Sequence, residues 1–506
     1  MRTVLGIDLG TQALKVVFYD IDARRVAAVE SAPLSLYQNE RGRAEQQAHW
    51  WVEALQKALG KVGSSVRATA SAVGVSGQQH GFVPLDAAGN VLAPVKLWCD
   101  TSTEAECAEI MAAAGGEARC LHDAGNLIPP GFTASKVLWL RKHHPALYAQ
   151  MATILLPHDY LNFYLTSERC MEMGDASGTG FLDVRNRAWS ETLLRAIDPD
   201  RDLQDCLPTL RIANEAIGTL QTGVAEELGL PAGIPVAIGG GDNMMGAIGT
   251  GNVRSGRVTM SLGTSGTVYA YSDEPVVDPS GQIAAFCSST GGWLPLLCTM
   301  NCTVTTELTR SLLDADLAEF EAHLESAPPG ASGVITVPFF NGERTPNLPG
   351  AKGCIVGLDS QNMKPENLLR SGVEGATFAL KFGIDQLEAL GLQASEIVLT
   401  GGGVNSPSWR QVVADIFGLP VTVMQQDQGA APGAAMQAMA LLADQPDSLG
   451  DIVDTHLTPD PDRSCEPSES AVNLYQDVYA SYQDAVAAAA QLYGQSAATT
   501  QGRRES

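Results

Sequence analysis

Basic residues are scarce in this chain of 506 residues: Lys+Arg number 32 against 57 Asp+Glu, a formal charge of −25. That surplus excludes nonspecific binding to nucleic acid or to an anionic membrane, whose phosphates it repels. A small anion remains admissible if backbone N–H groups and a cation hold it locally. Cysteine is also sparse, ten in all, with no C-x-x-C pair, so no zinc-finger grouping is indicated. Cys298 and Cys302 lie four apart without a nearby histidine and read as buried small side chains. No apolar run approaches the roughly 18 residues of a membrane helix. Met1-Arg2-Thr3 passes directly into a strand-like run, which leaves no room for a signal peptide. These absences together point to a reduced, cytoplasmic, soluble protein.

The common phosphate and nucleophile motifs are absent as well. There is no G-x-x-x-x-G-K-[ST], and no G-x-G-x-x-G follows the first strand, so neither a P-loop nor a dinucleotide fold is supported. Gly74-Val75-Ser76-Gly77-Gln78 and Gly263-Thr264-Ser265-Gly266-Thr267 both miss the G-x-S-x-G elbow, and a serine hydrolase is not indicated.

What is present is a repeat. Val4 to Tyr19, VLGIDLGTQALKVVFY, reads as strand, Gly-Thr turn and strand; Val258 to Tyr271, VTMSLGTSGTVYAY, has the same layout. Leu9-Gly10-Thr11 in the first matches Leu262-Gly263-Thr264 in the second. A second echo pairs AVGVSGQQHG from Ala72 with EIVLTGGGVN from Glu396, each a buried strand entering a glycine turn. Apolar content of 45% and this length call for more than one domain, and the echoes predict a duplicated α/β unit joined near Gly249–Gly256. Trp51, Leu55, Ala58 and Leu59 predict an amphipathic helix over Ala48–Lys61. The pattern also predicts strands at Val236–Ile238 and Val421–Met424 and helices over Ser371–Leu390 and Ser470–Tyr493, with the last dozen residues frayed.

Glycine at a strand end lets backbone approach an anion, and the hydroxyls of Thr11, Thr264 and Ser265 add neutral donors. One such hairpin alone is merely a turn; a matched pair favours phosphate binding. Asp8 closes the first strand and Asp242 follows Gly239-Gly240-Gly241. Phosphoryl transfer needs a carboxylate beside the acceptor hydroxyl and an oxygen site for Mg²⁺. A helix N-cap explains either aspartate equally well, so on the residues alone both readings stand.

GIDLGTQ from Gly6, SGQQHG from Ser76, GGGDN from Gly239, SLGTSG from Ser261, NGERTP from Asn341 and LTGGGVN from Leu399 resemble, in order and spacing, the FGGY carbohydrate kinases. GCIVGL from Gly353 followed by NLLRSGVEG from Asn367 is similar to that family's C-terminal signature. The resemblance ends near residue 440. Within the family, SGQQHG, LPHDYLN from Leu155 and GGGDNMMGA are most similar to the kinases of D-xylulose.

The resemblance implies two actin-like (ribonuclease H-like) ATPase domains with an interdomain cleft. An N-terminal sugar-binding and catalytic domain would span 1–250, a nucleotide-binding domain 251–445, and a helical extension with a frayed tail 446–506. It implies Asp242 as the base for the sugar hydroxyl and Asp8 as the residue holding Mg²⁺ and phosphate. Gln79, His80 and Asn243 would contact the ketose beside Asp242. Gly10, Thr11, Gly263 and Thr264 would line the phosphates of ATP, and Gly401, Gly402 and Asn405 the adenosine.

Other residues are read as structural. Arg344 is expected to form an ion pair that shapes its domain, and His158-Asp159 to be structural because no nucleophile accompanies it. Where some D-xylulose kinases resemble W-N-D-x-R, this chain has Trp98-Cys99-Asp100-Thr101-Ser102, so ribulose, another ketose or a polyol such as xylitol stays open as acceptor. An actin-like ATPase without a sugar substrate is the alternative outside this class. The expected partners are a small sugar and ATP, with no nucleic acid and no membrane, and a homodimer is left open.

Overall fold

Strand β1 (Thr3–Leu9) is buried along nearly its whole length, which suits the centre of a sheet covered on both faces. In the computed structural model, which describes residues 1–212, 215–442 and 449–502, the chain divides into two compact units. Unit 1 comprises Met1–Arg254, Tyr271–Pro295 and Gln426–Thr458; unit 2 comprises Ser255–Ala270, Leu296–Gln425 and Pro459–Ser506.

In unit 1, β1 turns through Gly10, whose N–H donates to Ala13 O at 3.1 Å, into the antiparallel β2 (Ala13–Asp20). β3 (Arg25–Pro33) extends the sheet antiparallel to β2. β4 (Ala70–Gly77) lies parallel to β1 on its other side, aligning Asp8 with Ser76 and Leu9 with Gly77. β5 (Ala216–Thr219) and β6 (Pro235–Ala237) complete the order β5-β6-β4-β1-β2-β3. The short β7 (Gly240–Gly241) pairs parallel with the end of β4, Gly240 opposite Ser76 and Gly241 opposite Gly77. Those registers bring the ends of β1, β4 and β7 together.

The helix Ala48–Lys61 forms over the residues its periodicity predicts and buries Trp51, Leu55, Ala58 and Leu59 against β2 and β3. The helix Ala431–Ala440 packs on β1 and β4 at near backbone-to-backbone distance. A Cβ on Gly6 would strike Ala431 O, and one on Gly74 would strike Ala434 O and lie 2.7 Å from its carbonyl carbon. This close approach, made possible by glycine on the strands and alanine on the helix, returns residues 426–458 to unit 1.

Unit 2 repeats the arrangement. β8 (Arg257–Leu262) and β9 (Gly266–Ala270) form the hairpin, β10 (Leu296–Thr299) adds antiparallel to β9, and β11 (Glu396–Thr400) and β12 (Val421–Val423) add in parallel beside β8. The order β10-β9-β8-β11-β12 matches β3-β2-β1-β4-β6 in both sequence and direction, so the sequence echoes fall on equivalent strands. The fold is the α/β duplication of two actin-like units.

The expected helix at Ser371–Leu390 begins earlier, at Pro365, and ends at Ala389, because proline is well suited to the first turn. The closing helix runs Glu469–Gly502 rather than stopping at Tyr493, so most of the tail expected to fray is helical; residues 503–506 lie outside the described residues, as does the boundary expected at 445/446. Tyr475, Tyr479 and Tyr482 of this helix surround Phe378, with ring centroids 6.0, 5.4 and 5.2 Å away. Arg344 is exposed and forms no ion pair among the described residues. Its backbone N–H instead donates to Glu343 Oε1 at 2.8 Å, which also accepts from Met300 N–H.

The helix–strand approach makes a direct prediction. Gly74→Ala forces its methyl into the Ala434 peptide and lowers unfolding free energy by about 2 kcal/mol or more, measured as a shift in the urea midpoint. Gly60→Ala, with no atom near its added Cβ, leaves the midpoint unchanged or higher.

Candidate active site

Parallel pairing of β1, β4 and β7 places Asp8 one strand away from Gly240, with Ser76 between them. Ser76 Oγ donates to Asp8 Oδ1 at 3.1 Å. Burial pushes the Asp8 carboxyl above its ordinary range; the charge of Lys15 and the hydrogen bonds from Ser76 and the Ala430 N–H oppose that rise. Lys15 Nζ itself donates to Gln428 O at 2.9 Å. Gly429, at φ +76, leaves open the space beside Asp8 Oδ2, where a Cβ would stand 3.2 Å away.

Asp242 is the first residue of the helix Asp242–Gly249, with Gly241 as its N-cap. The cap role the sequence allowed it therefore falls to Gly241, and the Asp242 side chain is turned to other work. Its Oδ1 accepts from the Asn243 N–H at 2.8 Å and from Asn243 Nδ2 at 3.1 Å. Asn243 Nδ2 also donates to Gln79 Oε1 at 2.7 Å. Burial pushes the Asp242 carboxyl up to about 7, with the negative charges of Asp8 and Asp175 adding to the rise and two backbone N–H groups opposing it. A carboxyl tuned near neutrality at a helix N-terminus has the character of a proton acceptor.

His80 is held in a conformation rare for a residue other than glycine, φ +64. Its carbonyl accepts from Lys136 Nζ at 2.7 Å and Thr133 Oγ1 at 3.1 Å. Its Nδ1 donates to Gly178 O at 2.9 Å, since a carbonyl only accepts, and its ring stacks on Phe132 at 4.6 Å. Thr11 is already engaged: its hydroxyl donates to Gln78 Oε1 at 3.1 Å and accepts from Trp98 Nε1 at 2.9 Å.

Asp8, Asp242, Asn243, Gln79, His80, Gly10 and Thr11 all belong to unit 1. Gly263, Thr264, Gly401, Gly402 and Asn405 belong to unit 2. There Gly401, at φ +91, packs so closely on Leu262 that an added Cβ would meet its carbonyl oxygen at 2.8 Å, while Gly402, Thr264 and Asn405 are exposed. Asn405 Oδ1 accepts from Arg463 Nη2 at 3.4 Å.

Several contributors carried no signal in the sequence. Lys136, completely buried, holds the His80 carbonyl, and burial pushes its ammonium down to about 7 against the opposing charge of Asp100. Lys15 stands opposite Asp8 on the neighbouring strand β2, and the Gln428–Ala430 segment reaches Asp8 from hundreds of residues away. Only the small-residue run GAAPGAA from Gly429 hints at a close approach.

No group of three or more His, Cys, Asp or Glu side chains arranged to hold a metal ion occurs among the described residues. A lone half-buried carboxylate such as Asp8 fits Mg²⁺ instead, which keeps most of its waters and takes one or two protein carboxylates beside phosphate oxygens.

The Asp242 shift has a consequence for stability. Its native pKa of about 7 lies above the ordinary value of 3.8, so the native state binds this proton more tightly. The stabilisation is complete below that ordinary value and is lost as pH rises toward about 7. Asp242→Asn removes this dependence: between about pH 5 and about pH 8 the melting temperature of the variant falls less than that of the parent. Equal falls in scanning calorimetry would contradict the assignment.

Comparison with known proteins converges on one family. Residues 3–249 match the N-terminal domain of the FGGY family of carbohydrate kinases and residues 258–442 its C-terminal domain. The chain is 42% identical over 485 residues to a xylulose kinase of Haemophilus influenzae, covering 94% of this chain and 98% of that one. It is 37% identical over 443 residues to a xylulose kinase of Escherichia coli, covering 86% and 89%. The crystal structure of xylulose kinase from Bifidobacterium adolescentis superposes with a TM-score of 0.80 at 29% identity, covering 94% of this chain and 99% of that one. With both family domains matched in order along a duplicated α/β fold, the chain belongs to the FGGY family of carbohydrate kinases and is a phosphotransferase that uses ATP.

Proposed function

We propose that this kinase transfers the γ-phosphoryl group of ATP to the C5 hydroxyl of D-xylulose, giving D-xylulose 5-phosphate and ADP. The observation that carries the reading is Asp242, a carboxyl tuned to about 7 at the end of β7 and braced by Asn243 and Gln79. The xylulose kinase relatives support the choice of acceptor.

In this reading unit 1 is the sugar-binding and catalytic domain and unit 2 the nucleotide-binding domain. Asp242 accepts a hydrogen bond from the C5 hydroxyl, aims its oxygen at the γ-phosphorus and takes the proton as the new P–O bond forms. Because phosphoryl transfer passes through a loose transition state, positioning outweighs basicity. Gln79, Asn243 and His80 fix the remaining hydroxyls with amide and imidazole groups, which can donate and accept. Gly10, Thr11, Gly263 and Thr264 attend the phosphates, and Gly401, Gly402 and Asn405 the adenosine. Asp8 holds Mg²⁺, whose charge offsets that of the phosphates when bound. Ten free thiols accord with work in a reducing, cytoplasmic setting, and no described helix is long and apolar enough to cross a membrane.

The test is coupled ADP release with Mg-ATP against D-xylulose, D-ribulose, L-ribulose, L-xylulose, glycerol and xylitol. D-xylulose is expected to give the highest kcat/KM. Asp242→Ala is expected to lower kcat at least about 100-fold without loss of the fold. A higher kcat/KM for another acceptor would displace D-xylulose, and near-normal turnover of the variant would remove Asp242 as the base.

A further inference from the structure

Lys136 is completely buried and forms no ion pair among the described residues. The acids of its neighbourhood, Glu45 and Asp100, pair with Lys96 instead, at 3.2 and 3.0 Å. A cation enclosed without a counter-ion is costly, so its N–H donors have to be well satisfied where it is retained. They are satisfied by two backbone carbonyls. Lys136 Nζ donates to Gly131 O at 2.7 Å, just ahead of the helix Thr133–His143 that carries the lysine, and to His80 O at 2.7 Å, in the turn after β4. Thr133 lies one helical turn before Lys136 and on the same face. It is equally buried, and its Oγ1 donates to the same His80 carbonyl at 3.1 Å.

The backbone of His80 needs that grip. Its φ of +64 is disfavoured for any side chain with a Cβ and persists only where the surroundings over-determine it. Two donors on one carbonyl oxygen fix the peptide plane that follows His80, and with it the direction of the Cα–Cβ bond. The ring is then received by a close-fitting set of partners. Nδ1 stands 2.9 Å from Gly178 O, the face stacks on Phe132 at 4.6 Å, and Phe286 lies 6.0 Å away. Gly178 approaches so closely that an added Cβ would lie 2.1 Å from Nδ1. Relaxation of His80 to a negative φ would swing its Cβ aside and withdraw the imidazole from all three partners.

We propose that Lys136, together with Thr133, is a positioning residue for sugar recognition: by gripping the His80 carbonyl it holds the strained backbone that presents the imidazole to the acceptor. The inference rests on the reading of His80 as a sugar contact and adds to it the residues that keep the histidine in place. Neither Lys136 nor Thr133 touches the substrate in this role; both act through one carbonyl oxygen.

Lys136→Met tests it, because methionine fills much of the same space and has no donor. The expected result is a rise of about tenfold or more in the KM for D-xylulose, with kcat and the KM for ATP changed by less than about threefold. Thr133→Val is expected to raise the sugar KM about threefold, and Thr133→Ser, which keeps the hydroxyl, to stay at the parent value. In a His80→Ala background Lys136→Met changes the sugar KM by less than about twofold, since the contact it positions is already gone. A parental sugar KM in Lys136→Met, equal values in the two Thr133 variants, or the full effect of Lys136→Met persisting in the His80→Ala background would each overturn the proposal. So would loss of a cooperative melt in Lys136→Met, which assigns the lysine to stability alone. His80→Ala by itself is the separate control. An unchanged sugar KM there defeats the reading of His80, while a raised KM beside a parental Lys136→Met defeats only the positioning role.

Discussion

Two carboxyl groups are held close, Asp8 near the end of β1 and Asp242 just beyond β7 with β4 between those strands, and much of unit 1 serves to make that tolerable. β1, β4 and β7 run parallel and end in step, Leu9 beside Gly77 and Gly77 beside Gly241. Burial raises both carboxyls, and the charge of Asp8 adds to the rise of Asp242, so each needs donors close by. Ser76 and the Ala430 N–H supply them for Asp8, and Asn243 supplies them for Asp242. The glycines along these strands let a helix, a buried histidine and a turn come near enough to deliver those contacts.

This arrangement also resolves a conflict in the composition. A chain with a charge of −25 is a poor partner for polyanions, yet its family uses ATP. The resolution is local. In the proposed reading glycine turns and hydroxyls at strand ends meet the phosphates, and the acid surplus need not face the nucleotide. The buried Lys136 spends its charge on the carbonyls of His80 and Gly131.

Much of the fold was legible because it is encoded locally. The hairpins at Gly10 and Gly263 are written in a few residues each, and the helix at Ala48–Lys61 in its apolar period. Equivalent strand orders in the two units follow from the echoes. What escaped is non-local. Nothing in GAAPGAA says that residues 426–458 return to unit 1, because that packing depends on Gly6 and Gly74 lying more than 350 residues upstream. Asp8 and Asp242 were identifiable from their motifs, but Lys136 and the partners of His80 were not, since burial of a lysine is decided by tertiary contacts. His158-Asp159 was legible as a structural pair, and only the structure adds Asp175 to it.

The central claim is that one phosphoryl group passes to one sugar hydroxyl. Phosphorus NMR of the product from Mg-ATP and D-xylulose tests it most directly. The account predicts a single phosphomonoester resonance coupled to the two C5 protons, formed in step with ADP. Inorganic phosphate accumulating without a sugar ester, or an ester on another carbon, would contradict it.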